Sequence, residues 1–311
     1  MSAAQLQIIE IFIMIAVGFI CGKTKLIDAD GCKKLSKLCL WLVNPVLIFM
    51  SYQRDYSADI SKNLAVMLAV SAALFAVSIG AAALFVPKRR TEYAIERMSL
   101  IFTNCSFVGI PLVQSVCGDG GVIYLTVYIT VFNIIAWTYG LGLMSGERLS
   151  FRGTLKKLCT PAIISVFLGL IFYFCRIRLP EIVSSPLNAV GSINTPLAML
   201  VAGATLAGTD ILKCLRNVRL YVLSALRLIV MPALCCLATF WLARFGVDRD
   251  IIRIAVIGAS CSSAAIATMF AHTYGKNSAY ASEIFAMTTL LSFVSIPAVL
   301  KFLSLLFEIA Q

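Results

Sequence analysis

Between Phe102 and Gly118 the chain reads FTNCSFVGIPLVQSVCG. A carboxamide, Asn104, a glycine, Gly109, and a proline, Pro111, stand inside a long apolar run. Proline offers no N–H to a helix, and in hydrocarbon no water replaces the lost bond. A break there is tolerated only where the backbone is packed in protein or lines a cavity. The half-helix that follows a break presents unpaired N–H groups and the positive end of its dipole, which suits an anion without requiring a full charge. The Asn104 amide either donates to a carboxylate oxygen or ties the loose backbone. Pro111 shapes the chain, and Gly109 permits close approach.

A second stretch carries related chemistry. IIRIAVIGASCSSAAIATMFAHTY has seven small residues in succession, Ala259–Ala265. Such a run lets helices cross closely, and its hydroxyls either line a cavity or serve backbone groups freed by an irregular turn. Shifted by 157 positions, Gly118 falls on Gly275, Asn104 on Cys261 and Pro111 on Thr268. The candidate substrate-binding residues are therefore Asn104, Gly109, Pro111, Cys261, Ser262 and Ser263, whether or not the second stretch breaks without a proline.

Charges inside apolar runs are costly and usually face an interior or a cavity. Arg227 is the clearest. It either attracts an anion or holds helices through backbone carbonyls. Glu10 and Glu283 lie near the ends of their runs, where they serve as proton carriers or as interfacial groups. His272 reads as an interfacial polar residue. Asn44 and Asn194 precede prolines and are expected to satisfy freed carbonyls.

These residues need apolar helices to position them. The chain has 311 residues, 60% hydrophobic and 13% charged, against roughly 45–50% and about 25% in soluble domains. A spanning helix takes about 20 apolar residues. Ten spans fit, with little left for a soluble domain: Leu6–Gly22, Leu38–Tyr52, Leu64–Val86, Met98–Cys117, Val122–Met144, Leu158–Cys175, Leu187–Gly208, Tyr221–Phe245, Ile251–Tyr274 and Ala279–Leu306. Alternate loops, beginning with Lys23–Lys37, hold 17 of the 26 Lys and Arg, and the opposite side with both termini holds 8. By the positive-inside rule the first loop is cytoplasmic and both termini lie outside. Five spans then enter in one sense and five in the other, an inverted repeat of residues 1–144 and 158–311 joined by a cytoplasmic linker at 145–157.

Several classes are set aside. The net charge of +11 resides in short loops, where it sets topology rather than binding nucleic acid. The 11 cysteines are scattered and His272 is the sole histidine, so no metal site, cofactor or catalytic constellation is expected and the cysteines read as small reduced hydrophobes. No GxxxxGK[ST] motif for ATP is present. The first residues carry no basic leader or small-residue cleavage site, so the first run is expected to stay as a span.

NCSFVGIPL resembles the Asn-x-x-x-x-Gly-Ile-Pro-Leu stretch of the auxin efflux carrier family, which includes plant PIN carriers and bacterial organic-acid permeases. INTPLAMLVAGATLAG, ALRLIVMP, IRIAVIGAS and MTTLLSFVSIP add to the resemblance along the whole chain. It implies an all-α integral membrane protein with ten transmembrane helices in a five-plus-five inverted repeat, spans four and nine being broken and crossing at mid-membrane. It further implies a scaffold of spans one, two, six and seven that can form a homodimer, a transport unit of the other spans moving like an elevator, and Asn104 and Pro111 beside the substrate carboxylate. The chain lacks the prolines of plant relatives in span nine and their long central loop, so a bacterial or archaeal permease fits better.

The expected function is secondary transport of a small organic anion, a mono- or dicarboxylate, across the plasma (inner) membrane by alternating access. The alternative is a sodium- or proton-coupled cation carrier of similar crossed-helix build, which would want paired Asp or Glu near the break; spans four and nine have none at their centres. A membrane enzyme would want a His/Asp/Glu cluster, and a receptor its own output domain.

Overall fold

The computed structural model describes residues 3–146, 160–208, 216–244 and 246–309. Most of the linker at 145–157 and part of the loop from Asp210 to Arg219 lie outside these residues. Among the described residues the fold is all helix: α1 (Ala3–Lys23), α2 (Ala29–Ser51), α3 (Ala58–Phe85), α4 (Tyr93–Ile101), α5 (Cys105–Cys117), α6 (Asp119–Ser145), α7 (Pro161–Phe174), α8 (Glu181–Ala207), α9 (Val218–Leu242), α10 (Arg249–Ser260), α11 (Ile266–Thr273) and α12 (Ser278–Ile309). Five of these, α2, α3, α6, α8 and α9, are long and apolar enough to cross a membrane. In α12, the segments Ser278–Ser292 and Val294–Leu303 meet at a bend of 57° and pass the same test together. The bend falls one turn before Pro297, where a proline ring crowds the carbonyl four residues back.

Prolines also explain most of the irregular turns. Cys39–Val43, Cys105–Gly109 and Leu226–Val230 are wide, π-helical turns. They precede Pro45, Pro111 and Pro232, and each contains the residue whose carbonyl that proline cannot pair. Widening the turn relieves the clash without ending the helix. A fourth wide turn, Ala136–Gly140, has no nearby proline.

The chain divides into two compact units. The first comprises residues 1–65, 106–130 and 158–208, and so gathers α1, α2, α7 and α8 with α5 from Ser106 on and the start of α6. Its tightest contact is α1 on the second half of α8. Gly18 and Gly22 stand four apart on α1, over the Leu200 backbone and over Ala204 and Ala207. Gly203 faces the backbone of Ile15 and Phe19. Small residues at this spacing let two backbones touch, and van der Waals packing then replaces the absent hydrophobic drive between helices in lipid. Elsewhere in the unit the Tyr52 and Thr126 hydroxyls meet at 2.6 Å, the Tyr52 ring fits against Gly169, and the Tyr173 hydroxyl donates to the Ser57 carbonyl at 3.0 Å.

The second unit comprises residues 66–105, 131–157 and 209–311. It contains α4, α9, α10, α11 and α12 whole, with most of α3 and the second half of α6. Its interior holds stacked rings: Phe102 meets Phe132 edge-on with centroids 5.5 Å apart, and Phe75 touches both.

A Cβ at residue 203 would land on the Ile15 carbonyl oxygen, whereas one at Gly80 meets nothing within 4 Å. Gly203→Ala is expected to cost about 2–3 kcal/mol, while Gly80→Ala is neutral or stabilises by up to about 1 kcal/mol through helix propensity. Thermal midpoints of the two purified variants in detergent check the contrast.

Candidate functional site

The helical backbone is interrupted twice within the second unit. α4 ends at Ile101, and Phe102 turns extended with φ −95° and ψ 127°. α10 ends at Ser260, and Cys261 is extended with φ −61° and ψ 159°. The two gaps pair. Asn104 N–H donates to the Ser262 carbonyl at 2.8 Å, and Ala264 N–H to the Phe102 carbonyl at 2.9 Å. Thr103 and Ser263 lie opposite each other as a one-residue antiparallel bridge. The second gap therefore forms without a proline: short side chains let the strands approach, and each gap supplies hydrogen bonds that the other lacks. The break in the first stretch lies at Phe102–Asn104, ahead of Pro111. Pro111 instead stands inside α5, where the wide turn Cys105–Gly109 ahead of it keeps the helix continuous.

Successive residues of a paired strand face opposite ways, so Thr103 and Ser263 share one face and Asn104 and Ser262 the other. Ser262 Oγ accepts from Thr289 Oγ1 at 3.2 Å, and Ser263 N–H donates to Thr288 Oγ1 at 3.2 Å. α12 thus enters the polar cluster through two threonines. Thr103 Oγ1 and Ser263 Oγ are buried and have no hydrogen-bond partner among the described residues. Asn104 is 7% exposed as a residue, and no described group hydrogen-bonds its amide. Ala265 and Ile266, at the start of α11, keep contact with the outside, and the first turn of that helix offers N–H groups without helical partners.

Arg227, 1% exposed, organises the opposite ends of the breaks. It projects from the wide turn Leu226–Val230 of α9. Its Nη1 donates to the Leu100 carbonyl at 2.7 Å, Nη2 to Ala259 at 2.7 Å and to Cys261 at 3.0 Å, and Nε to Cys261 at 3.2 Å. Those carbonyls belong to the C-terminal ends of α4 and α10, which carry the negative ends of two helix dipoles. One guanidinium therefore satisfies and neutralises both.

The candidate residues Asn104, Cys261, Ser262 and Ser263 come together in the second unit, whereas Gly109 and Pro111 belong to the first. Glu10 is exposed on α1, Glu283 is half-buried on α12, and His272 is exposed at the end of α11. In the first unit, Asn194 Oδ1 accepts from the Cys39 thiol at 3.4 Å, while Asn44 Oδ1 and Asn194 Nδ2 have no hydrogen-bond partner among the described residues.

A second charged cluster, not anticipated from the sequence, closes the other end of α4. Glu96 is 2% exposed and takes both Nε and Nη2 of Arg219, at 2.8 and 2.5 Å, and the Tyr280 hydroxyl at 3.1 Å. It joins the starts of α4, α9 and α12. Next to it, Arg97 donates to the Val86 and Ala83 carbonyls at the end of α3. Both residues stand in PKRRTEYAIER, the strongly basic stretch expected as the loop between the third and fourth spans. The apolar residues Ala94, Ile95 and Met98 around them were the signal that this stretch is helical and buried.

Interrupted apolar helices whose gaps pair and present unpaired donors are the build of a membrane carrier. Comparison with known sequences agrees. The Membrane transport protein family, the auxin efflux carrier-like group, matches residues 4–153 and 148–300, and the chain belongs to that family. An uncharacterized transporter of Methanothermobacter thermautotrophicus is 24% identical over 296 residues, spanning 93% of this chain and 95% of its own.

Glu96→Ala leaves Arg219 without its buried carboxylate and is expected to lower stability by about 3 kcal/mol. Arg253→Ala removes only an exposed pair with Asp250 and should change it by less than about 0.5 kcal/mol. Unfolding titrations of both variants in mixed micelles measure the difference.

Proposed function

We propose that this membrane transporter is a secondary carrier of a small organic anion, a mono- or dicarboxylate, working by alternating access around the paired gaps of spans four and nine. The observation that carries the proposal is the amide of Asn104, a residue more than nine-tenths buried, which has no described partner and lies near the open start of α11. A carboxylate there receives the Asn104 amide and the N–H groups of a half-helix start. The stretches Leu100–Cys105 and Ala259–Ile266 contain no Asp or Glu to repel it. Ser262 and Ser263 line the cluster, and Thr288 and Thr289 position them.

Ten spans in a five-plus-five inverted repeat remain the architecture proposed here, with spans four and nine crossing at their gaps. The first compact unit holds spans one, two, six and seven, and the second holds eight, nine and ten with most of three, while spans four and five are divided between the two units. That division supports a scaffold, able to form a homodimer, and a transport unit. The charge asymmetry of the loops supports a plasma-membrane orientation with both termini outside.

Proteoliposomes loaded with the purified chain should take up labelled malate, malonate or a related carboxylate saturably under an imposed pH gradient or potential. Losing a hydrogen bond to a charged ligand costs about 1.5–3 kcal/mol, so Asn104→Ala should weaken half-saturation by about 10–100-fold. Uptake unchanged in that variant removes Asn104 from the site. Folded protein that moves no carboxylate under either gradient refutes the anion reading.

A further inference from the structure

We infer that Arg227 is a built-in cation: its guanidinium fills the carbonyl-lined place where a carrier with interrupted helices would otherwise seat a coupling sodium ion. The inference rests on the transport reading above and concerns how transport is driven. In carriers with discontinuous helices, the C-terminal ends of half-helices and unwound carbonyls coordinate the coupling ion, because those oxygens carry the negative ends of the dipoles. Here three oxygens of that kind at the two gaps, on Leu100, Ala259 and Cys261, accept from one side chain at 2.7–3.2 Å. They come from both interrupted spans, and the charge they receive comes from a third helix, α9.

Three physical points bear on the inference. A guanidinium stays protonated throughout the working pH range, so the charge here is permanent and no proton leaves it during a cycle. A planar fork of five donors matches several divergent carbonyls at once, which a lysine ammonium does less well. A buried charge is retained only while its partners stay in place, so α9 and the two gaps hold together as one piece. The chain consequently needs no sodium at the gaps, and an anion arriving on the donor side meets dipole ends that are already balanced. Removing the side chain would leave three orphan carbonyl oxygens around a cavity, a ready set of hard oxygen ligands for a small cation.

The test uses the purified full-length chain in detergent and does not depend on knowing the substrate. Thermal midpoints are measured in equal concentrations of sodium, potassium and choline chloride for the wild type, Arg227→Lys and Arg227→Ala, with methylguanidinium as an added probe. The wild type and Arg227→Lys should show the same midpoint in all three salts. Arg227→Ala should melt lower and rise by at least about 2–4 °C with methylguanidinium or sodium over choline. A sodium-specific rise in the wild type overturns the inference, and so does an Arg227→Ala protein that responds to neither cation. Should Arg227→Ala not fold, Arg227→Met takes its place, and the wild-type comparison stands by itself. Sodium-dependent uptake by the wild type also overturns it. Absence of any carboxylate uptake sinks the anion reading but leaves the thermal comparison intact.

Discussion

A backbone carbonyl or N–H left unpaired in hydrocarbon costs several kcal/mol, and two interrupted helices create a set of them. The second unit answers this constraint locally. Two of the freed groups on each gap pair across it, and the carbonyls at the ends of α4 and α10 go to Arg227. α12 adds hydroxyls from Thr288 and Thr289. Most backbone groups exposed by the breaks are thereby occupied, while among the described residues the Asn104 amide and the Thr103 and Ser263 hydroxyls have no hydrogen-bond partner.

Residues that look alike in sequence take different roles under this constraint. Pro45, Pro111 and Pro232 each follow a wide turn that keeps the helix going, and the true gaps need no proline. At Phe102 the helix stops beside a large ring seated against Phe75 and Phe132, and Gly140 leaves the room that Phe102 and Met98 occupy. At Cys261 it stops in a run of side chains too small to fill the space between helices. A bulky anchor on one side and a lack of bulk on the other reach the same backbone arrangement.

Much of the helical fold was legible in the apolar runs, because length and composition alone mark a segment suited to lipid. Each expected span overlaps a helix, including Met98–Cys117 and Ile251–Tyr274, which are the interrupted ones. The place of the first gap was not legible, since Pro111 drew attention seven residues past it. Asn104 was legible as a buried amide, and Arg227 as a costly charge, but which of its two roles the geometry favours depended on where the carbonyls of distant residues lie. Glu96 and Arg97 were hidden by their neighbours: four cations in one short stretch mask a carboxylate that folds inward with Arg219. Thr288 and Thr289 had no signal apart from a pair of hydroxyls in an apolar helix, and pairs of that kind usually bond their own backbone.

The Arg227 contacts also bear on how the chain is made. Its acceptor on Leu100 lies 127 residues earlier, but those on Ala259 and Cys261 lie 32 and 34 residues later. A ribosome therefore delivers the arginine-bearing helix to the bilayer before two of its three carbonyl partners exist. Until α10 has emerged, the charge must be held by water, by lipid headgroups or by the insertion machinery. The buried charge of α9 therefore acquires its full set of carbonyl partners only after α10 has been made.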